Sequence, residues 1–185
     1  MKTTNRRHNL AGAALVEFAL VLPLLFVVFL NAVNFGGFFF AWITVANAAR
    51  TAANYMIMGG ASVNSPPEAT AAQISAVVTT DISSLLNRSS LAVRVCTRSP
   101  SGPGPSGTAA TPVCTVATGT FATTPPDVPA DTRPEGPLYV VGWVDIDYTY
   151  RPFIPLGFQF PGLGLRLTLP NNLVIHRRAV MRILR

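Results

Sequence analysis

From Phe18 to Ala49 the chain carries no charged residue, and nothing else in the sequence constrains its fold so tightly. A membrane-crossing helix needs about 20 mostly apolar residues. Ala13 to Val33 supplies such a run, interrupted only by Glu17, Pro23 and Asn31. The residues before Gly12 include Lys2, Arg6 and Arg7 and no acid, and the first cation beyond the run is Arg50. Basic flanks favour the cytoplasm. The N-terminus is therefore expected inside, and everything after a span at about residues 13–34 outside.

An ordinary cleaved signal has an apolar region of about 7–15 residues followed by a small-residue cleavage site. Here the apolar run is longer, and the nearest Ala-x-Ala pattern, Ala46-Asn47-Ala48, lies far beyond it. The small residues Ala11, Gly12, Ala13 and Ala14 come before the run instead. That order suits a peptidase that removes a leader of residues 1–12 and leaves the span attached. Glu17 sits just inside the apolar segment, where a charge costs a few kcal/mol and is a functional-site candidate by default. The plainer alternative is a boundary carboxylate that snorkels to the headgroups.

Val16-Glu17-Phe18-Ala19-Leu20-Val21-Leu22-Pro23-Leu24-Leu25 and Asn47-Ala48-Ala49-Arg50-Thr51-Ala52-Ala53 resemble the opening blocks of TadE/TadF-type pseudopilins of the tight-adherence (Flp) pilus system. The resemblance covers roughly the first 55 residues. It implies cleavage by a prepilin peptidase between Gly12 and Ala13, with Glu17 as the fifth-position acid and Phe18 its aromatic neighbour. It also implies other pilins or pseudopilins and the inner-membrane assembly proteins of the Tad system as partners. Cleavage would free an α-amino group on Ala13, largely protonated at neutral pH. Two charges near the membrane are each costly unpaired, and the resemblance implies that they pair between neighbouring subunits.

Within the span, Pro23 removes a backbone hydrogen bond and favours a bend, with or without functional consequence. Phe35-Gly36-Gly37-Phe38-Phe39-Phe40-Ala41-Trp42 fits an interfacial aromatic anchor, while Gly36-Gly37 equally suits close packing or a hinge. Alanine-rich sequence is expected to carry the helix on to Met58, where Gly59-Gly60 stops it.

Residues 59–185 suffice for one modest exported domain. The expected class is α+β: a long N-terminal transmembrane helix over 13–58, then a small periplasmic domain with a helix packed on an antiparallel sheet. Ser65-Pro66-Pro67-Glu68 reads as a helix start, followed by apolar residues at helical spacing up to Asn87. Leu91–Val95 and Val113–Val116 alternate as strands. Leu138–Tyr150 is the clearest strand, with Val140, Val144, Ile146, Tyr148 and Tyr150 on one face and Trp143, Asp145 and Asp147 on the other. A final segment, Leu173–Ile183, reads as a strand better than a helix, and its Ala179-Val180-Met181-Arg182 is similar to the ending of TadE-like proteins. Pro/Gly-rich loops are expected at 99–112 and 123–137, and an apolar loop over Phe153–Leu163 that touches the membrane or a partner.

Cys96 and Cys114 are the only cysteines. Export would place them in an oxidising compartment, where a disulfide is expected over a redox or metal site; two free thiols are the alternative. The formal net charge of +6 suggests nucleic acid, but its cations crowd the leader and the last ten residues without interleaved aromatics, so no nucleic-acid partner is expected. His8 and His176 are the only histidines, which leaves no His cluster for a metal, and no cofactor is expected. Asp145 and Asp147 could in principle serve acid–base chemistry, but alternation explains them as the solvated face of a strand. The function that the resemblance implies is that of a non-catalytic minor pseudopilin anchored in the inner membrane, either entering the pilus fibre or only assisting its assembly. The rival is an uncleaved, signal-anchored periplasmic binding module.

Overall fold

The computed structural model describes residues 6–58, 69–98, 112–128, 139–154, 170 and 172–184. The Ser65–Glu68 helix start, most of the 99–112 loop, part of the 123–137 connection and most of Phe153–Leu163 fall outside them. The architecture is α+β: a long apolar helix, then a helix packed on a four-stranded antiparallel sheet. The elements are α1 (Arg6–Met58), α2 (Ala71–Asp81), β1 (Leu91–Arg98), β2 (Val113–Thr118), β3 (Tyr139–Tyr150) and β4 (Leu173–Leu184). Two compact units divide them, one holding the described residues of Met1–Phe38 and Pro152–Asn171, the other those of Phe39–Arg151 and Asn172–Arg185.

In the first unit, α1 carries Pro23 within its helical run and exposes Leu15, Phe18, Leu20, Leu24, Phe26 and Phe29 on all sides. By length and composition it is able to cross a membrane, and its most apolar window buries nothing. Two amide side chains on the way find backbone partners, one near and one far in sequence. Asn31 donates to the Val27 carbonyl at 2.9 Å. Asn34 is 2% exposed; its Nδ2 donates to the Ile154 carbonyl at 3.0 Å and its Oδ1 accepts from the Ile154 N–H at 3.1 Å. One amide side chain thus pairs both backbone groups of a non-helical residue, as burial of those groups away from water requires.

In the second unit the strand order is β2-β1-β3-β4. Cross-strand rows define two faces. On one, Leu91, Tyr148 and Ile175 align, then Val93, Ile146 and Arg177, then Val95, Val144 and Ala179. This is the helical face. Ile74, Val78 and Ile82 are buried with it, and Ser75 of α2 hydrogen-bonds Thr118 of β2. The later part of α1 buries Ala41, Val45, Ala48, Ala49, Ala52, Ala53 and Met56, a stripe at three- and four-residue spacing. Alanines there add little bulk between the helix and what it packs against.

The start of α2 differs from the sequence expectation. Its N-cap is Thr70, in a reciprocal capping box with Gln73, and the helix ends at Asp81 rather than Asn87, followed by 3₁₀ turns at Ile82–Ser84 and Arg88–Ser90. Thr70 and Gln73 satisfy two end N–H groups at once, which sets the start immediately before the buried Ile74. Gly119, after β2, has φ of +68°, and a Cβ there would lie 2.1 Å from the Leu91 carbonyl oxygen. Only glycine serves at that crossing.

Tyr148 and Tyr150 lie in this core. Burial raises both phenol pKa values above the usual 10; for Tyr148 a hydrogen bond from the Asn87 N–H partly opposes the rise, and for Tyr150 the neighbouring Tyr148 adds to it. The unfolded chain releases these protons near pH 10 and the folded chain only at higher pH. Stability present below about pH 10 therefore falls as the pH climbs above it. Urea unfolding of the detergent-solubilised protein at pH 9 and 11 measures the fall, and Tyr148→Phe should make it shallower.

Candidate functional sites

Two regions carry chemistry, and they are unlike in every physical respect. The first is the N-terminal stretch of α1. Gly12, Ala13, Glu17 and Phe18 all lie on the helix and are exposed, and a Cβ on Gly12 would meet nothing within 4 Å. Ala13 and Glu17 are four residues apart, one helical turn, and so share a face about 6 Å apart along the axis. Among the described residues no cation meets the Glu17 carboxylate. It is the only acid on a helix of 53 residues, offered outward from an uncharged surface.

The second region is buried in the sheet, on the face opposite the helices. Here Arg94, Asp145 and Arg178 form one cross-strand row, and Ala92, Asp147 and His176 the next. Asp145 is 0% exposed and Asp147 7%. The expectation of a solvated strand face is corrected: both carboxylates are inside. Arg94 donates to Asp145 Oδ2 from Nε at 3.1 Å and from Nη2 at 2.8 Å. Arg178 donates from Nε to Oδ1 at 2.6 Å and from Nη2 to Oδ2 at 3.2 Å. One carboxylate is thus gripped by two guanidiniums, the arrangement in which charge-assisted bonds are strongest. His176 Nδ1 lies 2.6 Å from Asp147 Oδ1, and its Nε2 3.7 Å from Asp145 Oδ1.

The same arginines fasten a connecting segment over this face. Arg94 Nη2 donates to the Pro125 carbonyl at 2.8 Å, Arg178 Nη2 donates to the Pro126 carbonyl, and Arg94 Nη1 lies 3.6 Å from Asp127 Oδ1. That segment belongs to the proline-rich stretch expected to be irregular. It is irregular, yet held by name. Asp145 has its oxygens committed to four guanidinium hydrogen bonds, which leaves it ill suited to take up a substrate proton. Nothing in the sequence showed this cluster, because its members meet only through strand register.

Cys96 and Cys114 face each other across β1 and β2 and are bonded, with Cα atoms 4.1 Å apart. The bridge closes the ends of the Pro/Gly-rich 99–112 segment. Among the described residues no group of three or more His, Cys, Asp or Glu is placed to hold a metal.

Comparison with known proteins gives one match. Residues 12–54 match the family model described as TadE-like protein, which takes in Gly12, Ala13, Glu17 and Phe18 and ends within the buried part of α1. This agrees with the resemblance carried by Val16–Leu25 and Asn47–Ala53. No curated protein and no solved structure matches the chain.

Removing Asp145 would leave the buried Arg94 and the part-buried Arg178 without the anion they share, and loss of one partner of a buried pair costs about 3–5 kcal/mol. Asp145→Ala should lower the chemical-denaturation midpoint of the detergent-solubilised protein by a corresponding amount; an unchanged midpoint would show the cluster to be energetically idle. Closing the loop between Cys96 and Cys114, 18 residues apart, contributes on the order of 3 kcal/mol in the chain-entropy picture. Non-reducing mass spectrometry should find both thiols absent, and reduction should lower the same midpoint.

Proposed function

We propose that this chain is a membrane-anchored, non-catalytic minor pseudopilin that assists assembly of a tight-adherence pilus. The observation that carries the reading is the coincidence of the TadE-like match at residues 12–54 with a helix able to cross a membrane whose one acid, Glu17, is exposed near its start. The family match supports a Tad pilus-associated membrane protein, and the single apolar helix fits a single-pass anchor bearing a C-terminal domain.

Finer steps complete the proposal. The basic leader stays cytoplasmic, the helix spans the inner membrane and the sheet domain faces the periplasm. A prepilin peptidase cuts after Gly12. The new α-ammonium of Ala13 and the Glu17 carboxylate then lie near the bilayer edge, where each gains most by pairing. A neighbouring pilin or pseudopilin, or an inner-membrane assembly protein of the Tad system, brings the counter-charge, and Phe18 packs beside it. The Cys96–Cys114 bridge strengthens the exported domain in an oxidising compartment.

One experiment tests the sequence of events. In cells carrying the pilus system, N-terminal sequencing of the membrane-bound protein should begin at Ala13. Glu17→Ala should leave processing and insertion intact while pilus yield on the cell surface falls by an order of magnitude or more. A mature protein that retains Met1 would favour an uncleaved signal anchor, and normal piliation by Glu17→Ala would remove the assembly role.

A further inference from the structure

Arg177 and Arg178 are adjacent on β4 and meet opposite environments. Arg178 faces the acids and is paired there with Asp145. Arg177 faces the helices, in the row with Val93 and Ile146. None of the residues of β1, β3 and β4 that share its face is acidic. Its guanidinium carbon lies 3.4 Å from the centre of the Trp42 ring, a close cation–π stack. Its Nε is buried with no hydrogen-bond partner among the described residues, and burial lowers its pKa from the ordinary arginine value. The half-buried guanidinium therefore has its face satisfied by the indole, and no acid among the described residues pairs with its charge.

The position of Trp42 along α1 says what meets that charge. A hydrocarbon core of about 30 Å counted from Phe18 at 1.5 Å per residue ends near Gly37, and the headgroup layer beyond it ends near residue 42. Trp42 is 40% exposed, and Phe39, Phe40 and Ile43 beside it are exposed too. Indoles favour this level of a bilayer. Phosphodiesters occupy it, and the planar guanidinium fork fits them.

We propose that Trp42 and Arg177 form a headgroup-level binding site for the phosphodiester of an anionic phospholipid in the leaflet on the domain side. The indole stays at the edge of the apolar layer, and the guanidinium stacked on it donates to the lipid phosphate. The site sets the depth at which this end of α1 rests, a role separate from pilus assembly but resting on the membrane-anchored reading above.

The test uses the full chain in phosphatidylcholine vesicles whose acyl chains carry bromine near the headgroup. Trp143 is 0% exposed, so lipid quenching reports Trp42. Displacing brominated phosphatidylcholine with unbrominated phosphatidylglycerol gives the relative binding constant of the anionic lipid at Trp42. It should be up to about fivefold in favour of phosphatidylglycerol, the effect of one cation near an anionic surface. It should fall to near one in Arg177→Gln and lie between in Arg177→Lys, which keeps the charge but loses the planar stack. Near-UV circular dichroism checks that the variants fold. If Arg177→Gln does not, Arg177→Lys and the fall of the parent constant with added salt carry the test. A parent constant near one, or one unchanged by both variants, overturns the lipid site while leaving the anchor standing. Relief of quenching by inorganic phosphate in pure phosphatidylcholine would show a free-anion site and overturn the assignment to lipid. Bromines that quench at no depth would show that α1 is not inserted, removing the anchor and the lipid site together.

Discussion

A helix with no charge between Phe18 and Ala49 has to be covered by something other than water, and the remaining features of this protein follow from how that is met. Over its first part the large apolar side chains from Leu15 to Phe29 are exposed among the described residues, as suits a helix able to cross a membrane. From Ala41 onward one stripe is buried, and its composition shifts from Leu and Phe to Ala. Leu and Phe present area to lipid at little cost. Between a helix and a packed domain, alanine allows close approach and adds no side-chain entropy. The same helix is thus exposed and rich in Leu and Phe over one stretch and buried and rich in Ala over the next.

Polar groups on this helix are governed by the same constraint. Asn31 returns its amide to its own backbone, and Asn34 spends both ends of its amide on Ile154. Thr44 and Thr51 return their hydroxyls to carbonyls four residues back. Glu17 stands apart because the described residues offer it no cation. A charge that could have been replaced by an amide without disturbing any internal bond is poorly explained by the fold. It is better explained by something outside the chain, which is why the assembly reading rests there and not on the better-bonded acids of the sheet.

How far the sequence disclosed this depends on whether a feature is local. Gly12, Glu17 and the apolar run lie within one segment, and their order was enough to suggest both the span and the family resemblance. β3 and β4 were legible because alternation is a property of neighbours. Alternation separates two faces without saying which is wet, and that is how Asp145 and Asp147 came to be assigned to solvent. Arg94 and Arg178, which make the burial of Asp145 tolerable, lie 51 and 33 residues from it and arrive only through register. Ser65–Glu68, read as a helix start, lies outside the described residues, and the capping box of α2 is formed by Thr70 and Gln73. Asn34 gave no signal at all, since its partner is a backbone 120 residues on.

The paired acids also show why a buried charge network suits a sheet with connections this long. A proline-rich segment has few backbone N–H groups to offer, so it cannot join the sheet as a strand. Its carbonyls remain, and guanidiniums supply donors for them. Arg94 and Arg178 each hold Asp145 through Nε and Nη2, and the same Nη2 donates to a proline carbonyl, of Pro125 or Pro126. Asp145 fixes both arginines, and the arginines then hold the segment. A hydrophobic replacement of similar volume could fill the space and be as stable, but it would leave those carbonyls unpaired over a covered face. The ion network is therefore best understood as the means by which Pro125 and Pro126, which have no N–H to offer, are held through their carbonyls.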